Sequence, residues 1–280
     1  MTLRYAYNTN GTANHRLEDA IGLIADAGYS GVALTLDHHH LDPMADGWRD
    51  RAEALGRRLR AAGLGSVIET GARYLLDPRR KHEPTLLSPT PEARAGRIAF
   101  LNRATDIGEI LQAEAMSFWA GVPLPGVDHA QAGTWLMEGV AAVLEHAQSR
   151  GVVAALEPEP GMMIETLDDW AALHTSLPNL RLALDLGHCL VTQEREPAAA
   201  VPEFAAHIGT VAIEDMRRGD HTHLPFGEGD MDIPACLDAL EAIRFRGLVC
   251  VELSRESHRA HAMVPDAIAW LKACRGGTGA

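Results

Sequence analysis

Short apolar runs alternate with longer amphipathic stretches from one end of this chain to the other, and that alternation limits its fold more than any other feature. Eight runs stand out, at residues 3–7, 31–36, 65–70, 114–119, 152–157, 180–185, 208–214 and 247–253. Their centres, as in Val152-Val153-Ala154-Ala155-Leu156 and Leu180-Arg181-Leu182-Ala183-Leu184, are nearly continuous in apolar character, the pattern of strands covered on both faces. Strands of that kind belong to parallel sheets, whose crossover connections are usually helices. The intervening stretches supply them: Leu17, Ile21, Ile24 and Ala25 fall on one helical face, as do Leu136, Val140, Val143 and Leu144. Gly28, Gly63 and Gly151 each stand between such a stretch and the next run, where a left-handed residue ends a helix.

Eight strand–helix units predict a closed (β/α)8 TIM barrel over an open doubly wound sheet. No GxGxxG follows the first run, which argues against a dinucleotide-binding fold. The 280 residues are close to the ~250 typical of one such barrel. No linker or composition shift divides the chain, so a single domain is expected over residues 1–275, with a flexible Gly-rich tail at 276–280.

Charge narrows the partners. Lys and Arg number 25 against 38 Asp and Glu, a formal charge of −13 that repels phosphate backbones. The basic clusters Arg57-Arg58, Arg79-Arg80-Lys81 and Arg217-Arg218 are short and scattered, so no nucleic acid partner is expected. Four cysteines without CxxC spacing are expected to be reduced thiols. The N-terminus lacks the apolar run of a signal peptide, and no apolar stretch approaches the ~20 residues that span a bilayer. A soluble, cytoplasmic protein that makes no membrane contact is the expectation.

In such barrels chemistry collects where strands end, on the C-terminal mouth. Here the runs end in Asp37-His38-His39-His40, in Glu69-Thr70 with Arg73 beyond, in Ser117-Phe118-Trp119, in Glu157-Pro158-Glu159, in Asp185-Leu186-Gly187-His188, in Glu214-Asp215 and in Glu252-Leu253-Ser254. A single carboxylate at such a position is as readily a helix cap as a functional group. Carboxylates at almost every end would repel one another unless protonated or neutralised, and a divalent cation is the simplest neutraliser. His221-Thr222-His223 adds two imidazoles that share one face if the chain there is extended, against the alternative of a solvated loop. Of the histidines at 38–40 at most one or two can face inward; His40 is the candidate substrate contact. Arg73 is the candidate anchor for an anionic group, with a charged surface loop as its alternative. Trp119 offers a face for a sugar ring unless it simply packs the core, and Glu159 completes the candidate substrate contacts. The long connections 71–91 and 215–232 both follow strands, so both are expected at the mouth.

Three segments, Leu184-Asp185-Leu186-Gly187-His188, Phe226-Gly227-Glu228-Gly229-Asp230-Met231-Asp232 and Val251-Glu252-Leu253, together with the strand-end series, resemble the xylose isomerase-like barrel superfamily of sugar phosphate isomerase and epimerase type. The resemblance runs over essentially the whole chain. It implies metal ligands at Glu157, Asp185 and Glu252, with a fourth, a histidine, on the seventh strand. That position is Ala212 in Ala212-Ile213-Glu214-Asp215. Endonuclease IV-like members imply a further set at His188, His221 and His223. The expected metal therefore rests on some subset of Glu157, Asp185, His188, His221, His223 and Glu252, and such mixed donors suit Mn, Co or Zn better than Mg.

The resemblance implies an isomerase or epimerase of a sugar, keto-sugar or polyol, with Glu157 and Glu252 exchanging protons beside the carbonyl through an enediolate. The partner is then a small carbohydrate-like molecule, and the superfamily habit implies a homo-oligomer. A lyase or dehydratase follows from the same enolate if a neighbouring hydroxyl leaves. An endonuclease IV-like phosphodiesterase and a barrel that has shed its metal are the remaining alternatives, the latter favoured by Ala212.

Overall fold

The computed structural model describes residues 2–276. Eight parallel strands close into a barrel in the order β1-β10-β7-β6-β5-β4-β3-β2. They are β1 (Arg4–Asn8), β2 (Gly31–Thr35), β3 (Gly65–Glu69), β4 (Met116–Trp119), β5 (Ala154–Glu157), β6 (Arg181–Asp185), β7 (Ile208–Ile213) and β10 (Leu248–Val251). Each lies in one of the apolar runs, with ends shifted by at most two residues. The (β/α)8 expectation holds.

The helices are α1 (Leu17–Asp26), α2 (Trp48–Ala61), α3 (Pro91–Leu111), α4 (His129–Arg150), α5 (Leu167–Ser176), α6 (Leu186–Thr192), α7 (Pro197–Phe204), α8 (Ile233–Ala242) and α9 (Ala260–Gly276). The apolar faces read from the sequence are buried: Leu17, Ile21 and Ile24 on α1, and Leu136, Val140, Val143 and Leu144 on α4. Gly28, Gly63 and Gly151 take positive φ angles of 84°, 69° and 67°. Gly276 closes α9, and the remaining residues of the expected tail, 277–280, lie outside the described residues. All four cysteines are free. Among the described residues no helix is long and apolar enough to cross a membrane.

Strand register decides what faces the barrel axis. Ala6, Ala33, Val67, Ala115, Leu248 and Cys250 form a small buried cluster of their own, separate from the large core between strands and helices. Side chains on a strand repeat their facing every second residue. Two residues nearer the mouth than Ala6, Ala33, Val67, Ala115 and Cys250 stand Asn8, Thr35, Glu69, Ser117 and Glu252, and these line the cavity above the cluster. The same parity puts Glu157 and Asp185 inward on β5 and β6, and Ala212 inward on β7.

The segment after β7 is not the plain loop that its polarity suggests. β8 (Asp215–Arg217) and β9 (Asp220–Leu224) form an antiparallel hairpin, and His221 and His223 lie on β9. The extended backbone assumed for His221-Thr222-His223 is therefore present. Connection 71–90 carries no helix or strand and folds over the mouth, where Arg73, Lys81 and His82 line the cavity.

Candidate active site

The mouth opens into a cavity of about 690 Å3. Below it a small space is lined by Glu69, Glu157, Asp185, Ala212 and Glu252. Glu157, Asp185 and Glu252, far apart in the chain, thus face a common point, as the strand ends predict.

Asp185 ends β6 and caps α6, which starts at the next residue. Its Oδ1 accepts the backbone N–H of His188 at 3.1 Å. That cap fixes the first turn, so His188 projects back over the carboxylate that orders it, with Nε2 at 3.5 Å from Asp185 Oδ2. His188 Nδ1 lies 3.0 Å from the Pro158 carbonyl. A carbonyl only accepts, so Nδ1 carries the hydrogen, and whenever the ring is neutral its lone pair is at Nε2. His221 Nε2 approaches that atom to 3.1 Å. Glu159, two residues beyond Glu157, completes the group, with its oxygens 3.9 Å from His188 Nε2 and 3.8 Å from His221 Nε2.

Two clusters of metal-competent atoms share His188: Glu157, Asp185 and His188 on the inner side, and Glu159, His188 and His221 on the outer. His223 stands further back, its ring centroid 6.5 Å from that of His188 and its Nδ1 3.9 Å from Glu214 Oε2. Glu252 belongs to neither cluster; Asn10 donates to its Oε1 at 2.8 Å.

Electrostatics show a shortage of cations. Burial, then the charge of Glu252, pushes the Glu69 carboxyl up to about 8. Burial, followed by Glu159 and Asp185, drives Glu157 well above the usual carboxylate range, and burial with Asp185 and Glu252 does the same to Glu214. Asp185 moves the other way: burial opposes its charge, but the imidazoles of His188 and His223 hold it below its ordinary value. His188 is raised by Asp185 and Glu159 against burial, while burial and the other two imidazoles bring His221 down to about 4. Among the described residues no N–H or hydroxyl group reaches Asp185 Oδ2 or either oxygen of Glu214, all of them buried, and these oxygens have only the other carboxyl group within hydrogen-bond reach. A buried carboxylate oxygen without a donor carries a large desolvation cost that a cation removes, so the donor set fits a divalent ion.

At the rim, Arg73 pairs with Asp37 at 3.7 Å and is about one third exposed. His82 meets Trp119 edge-on at 5.2 Å, and below Trp119 the buried guanidinium of Arg97 lies 4.4 Å from the ring centroid and donates to the Thr70 carbonyl at 3.1 Å. Trp119 and Glu159 line the cavity as expected of substrate contacts. His40 does not. Its Nε2 faces the His15 carbonyl at 3.2 Å, and His38 and His39 point to solvent.

The strand-end reading names Glu69 and Glu214 only as members of the carboxylate series and passes over Asn8, Asn10 and Arg97. For Asn8 and Glu69 the signal was available, since both keep the inward parity of their strands. Arg97 lies inside a helix and Asn10 on a short 3-10 turn, where no local pattern marks them.

The xylose isomerase-like TIM barrel family matches residues 21–274. A protein of Shigella dysenteriae serotype 1 (strain Sd197), whose assigned name is L-ribulose-5-phosphate 3-epimerase UlaE, is 22% identical over 254 residues, covering 86% of this chain and 87% of that protein. Among solved structures, D-allulose 3-epimerase of Methylomonas sp. in complex with D-allulose aligns with a TM-score of 0.74 at 18% identity, covering 97% of this chain and 96% of that one. The 3-keto-D-glucoside 4-epimerase of E. coli aligns with a TM-score of 0.77 at 16% identity, covering 98% and 100%. At such identities the solved structures establish the fold.

Proposed function

This chain belongs to the xylose isomerase-like TIM barrel family, and from that premise we propose that it is a divalent-metal-dependent isomerase or epimerase of a sugar, keto-sugar or polyol. The observation that carries the reading is the meeting of Glu157 and Glu252 in one cavity, beside imidazoles and a carboxylate that suit a metal. An L-ribulose-5-phosphate 3-epimerase and a D-allulose 3-epimerase are among the relatives that carry activity names, which supports the substrate class.

The two glutamates reach the reacting carbon from β5 and β10, three places apart in the ring of strands. One removes the proton beside the carbonyl and the other returns a proton, so the intermediate is an enediolate. Glu157, held well above the usual carboxylate range by burial and its acidic neighbours, is the one of the pair suited to give the proton. Asn10 orients Glu252 through its 2.8 Å hydrogen bond. Asp185, His188, His221, His223, Glu157 and Glu252, with Glu159 beside the two imidazoles, are the residues that would hold the metal. When bound, the ion supplies positive charge where the enediolate oxygens become negative. Trp119 and Arg73 line the remaining wall and orient the substrate, Arg73 toward any anionic group.

The test is exchange of the substrate's carbon-bound hydrogen with deuterated solvent, followed by NMR on a panel of ketoses and their phosphates. Glu157→Gln and Glu252→Gln are each expected to slow exchange by about 10²–10⁴-fold while leaving the far-ultraviolet circular dichroism unchanged. Full exchange in either variant removes that residue from the role. Absence of exchange by the wild-type protein loaded with Mn, Co or Zn across the panel defeats the proposal.

A further inference from the structure

Resting on that metal-dependent reading, we infer that the cation is held by the outer cluster, Glu159, His188 and His221, displaced toward the mouth from the triangle of Glu157, Asp185 and Glu252.

Ala212 is the first reason. It pairs in register with Asp185 on β6 and with Cys250 on β10, so it sits between the strands that bring Asp185 and Glu252 to the mouth. Its methyl group faces the small inner space and offers no donor atom. The inner triangle is one ligand short, and Glu252 is already engaged by Asn10.

One step outward, the atoms stand at ligand spacing. A tetrahedral zinc site with bonds of 2.0–2.1 Å separates neighbouring donor atoms by about 3.3 Å. The separations here are 3.1 Å between the Nε2 atoms of His188 and His221, and 3.9 and 3.8 Å from these two atoms to the Glu159 oxygens. Closing those gaps needs side-chain movements of a few tenths of an ångström. The Pro158 carbonyl at Nδ1 of His188 is the outer partner that a ligating imidazole ordinarily has. His188 is 4% exposed, and with its Nδ1 turned to the Pro158 carbonyl its Nε2 faces His221 Nε2.

Two imidazoles and one carboxylate, with a position left open to solvent or substrate, form a donor set that prefers zinc or cobalt to magnesium. The placement also leaves Glu157 and Glu252 without a ligand's duty, free to carry protons. The loss of a family ligand at Ala212 is then compensated by the β8–β9 hairpin, which brings His221 from the edge of the mouth.

Cobalt(II) titration of the chelator-treated full-length protein tests the placement, read by the visible ligand-field band of four-coordinate cobalt and by calorimetric Kd. The wild-type protein is expected to bind one cobalt ion with that band. His221→Ala and Glu159→Gln are expected to weaken binding at least roughly 100-fold and abolish the band, whereas Glu252→Gln stays within about threefold of wild type. Retention of the wild-type band in His221→Ala, or its loss in Glu252→Gln, overturns the placement while leaving metal dependence standing. No cobalt or zinc binding by the wild-type chain overturns the functional reading as well. His221 is on the partly exposed hairpin, so His221→Ala stays informative even if Glu159→Gln disturbs the β5 end.

Discussion

Glu69 is a carboxyl group kept neutral at neutral pH by burial and by Glu252, and that property makes it measurable. Its folded pKa, about 8, lies above the ~4.3 of an unfolded glutamate. The stability it contributes is therefore complete below the unfolded value and is lost as pH rises through the folded one. Between pH 6.5 and 8 the unfolded chain has released this proton and the folded chain still holds it. Over that window the metal-free wild type is expected to lose about 1 kcal/mol per pH unit relative to Glu69→Gln, with the slope flattening toward pH 8 as the folded carboxyl begins to ionise. The window also avoids His40, His82 and His221, brought down to about 4 in the fold, since folded and unfolded imidazoles are both mostly neutral above 6.5. Urea unfolding of both proteins at several pH values checks it, and parallel stability curves across the window would show that Glu69 is ionised in the fold. The position was legible at a strand end; its neutrality was not, because it depends on Glu252, which is far from it in sequence.

At the scale of elements, the β8–β9 hairpin is what the sequence concealed and what the site most needs. Its residues Asp215-Met216-Arg217-Arg218-Gly219-Asp220-His221-Thr222-His223-Leu224 have no run of apolar side chains, and β9 is only partly buried or exposed along its length. Periodicity therefore does not mark it as strand. The barrel strands were legible for the converse reason: each is buried between the barrel interior and its helices, so its composition is apolar throughout. Asp215 ties the hairpin to the glycine turn, accepting the N–H groups of Gly227 and Gly229 at 2.8 and 2.9 Å on Oδ2 and that of Met231 at 3.2 Å on Oδ1. A Cβ at position 229 would collide with that carboxylate and with the Met216 carbonyl, which is why glycine stands there. Asp215→Ala strands three amides in a site that is 1% exposed, and is expected to cost roughly 3 kcal/mol. Hydrogen exchange should show amides 227, 229 and 231 opening first, together with weakened cobalt binding as His221 loses its support. Unchanged protection at those amides would mean that the turn holds without Asp215.

Over the whole molecule, the same geometry that makes a site also strains the barrel. Glu69, Glu157, Glu159, Asp185, Glu214 and Glu252 crowd one end of the ring against the imidazoles of His188, His221 and His223, so the chain folds with unneutralised acid at its mouth. Strand register made the inward carboxylates readable from sequence. It could not show which of them converge, because convergence depends on α6 starting directly at Asp185 and on the hairpin crossing back over the mouth. A cation that binds only the folded chain stabilises it by RT ln(1 + [M]/Kd), about 2.7 kcal/mol at one hundred times Kd. At ~2–4 °C per kcal/mol for domains slightly smaller than this one, zinc should raise Tm by at least about 5 °C over the chelated protein. The proposed ligands come from α6, from the segment after β5 and from the hairpin after β7, so the ion bridges neighbouring walls and the gain should appear as one cooperative shift in calorimetry. Glu252→Gln should keep that shift, and His221→Ala should lose it. An equal Tm with and without saturating zinc would mean that the carboxylates of the mouth meet their need for positive charge by protonation alone.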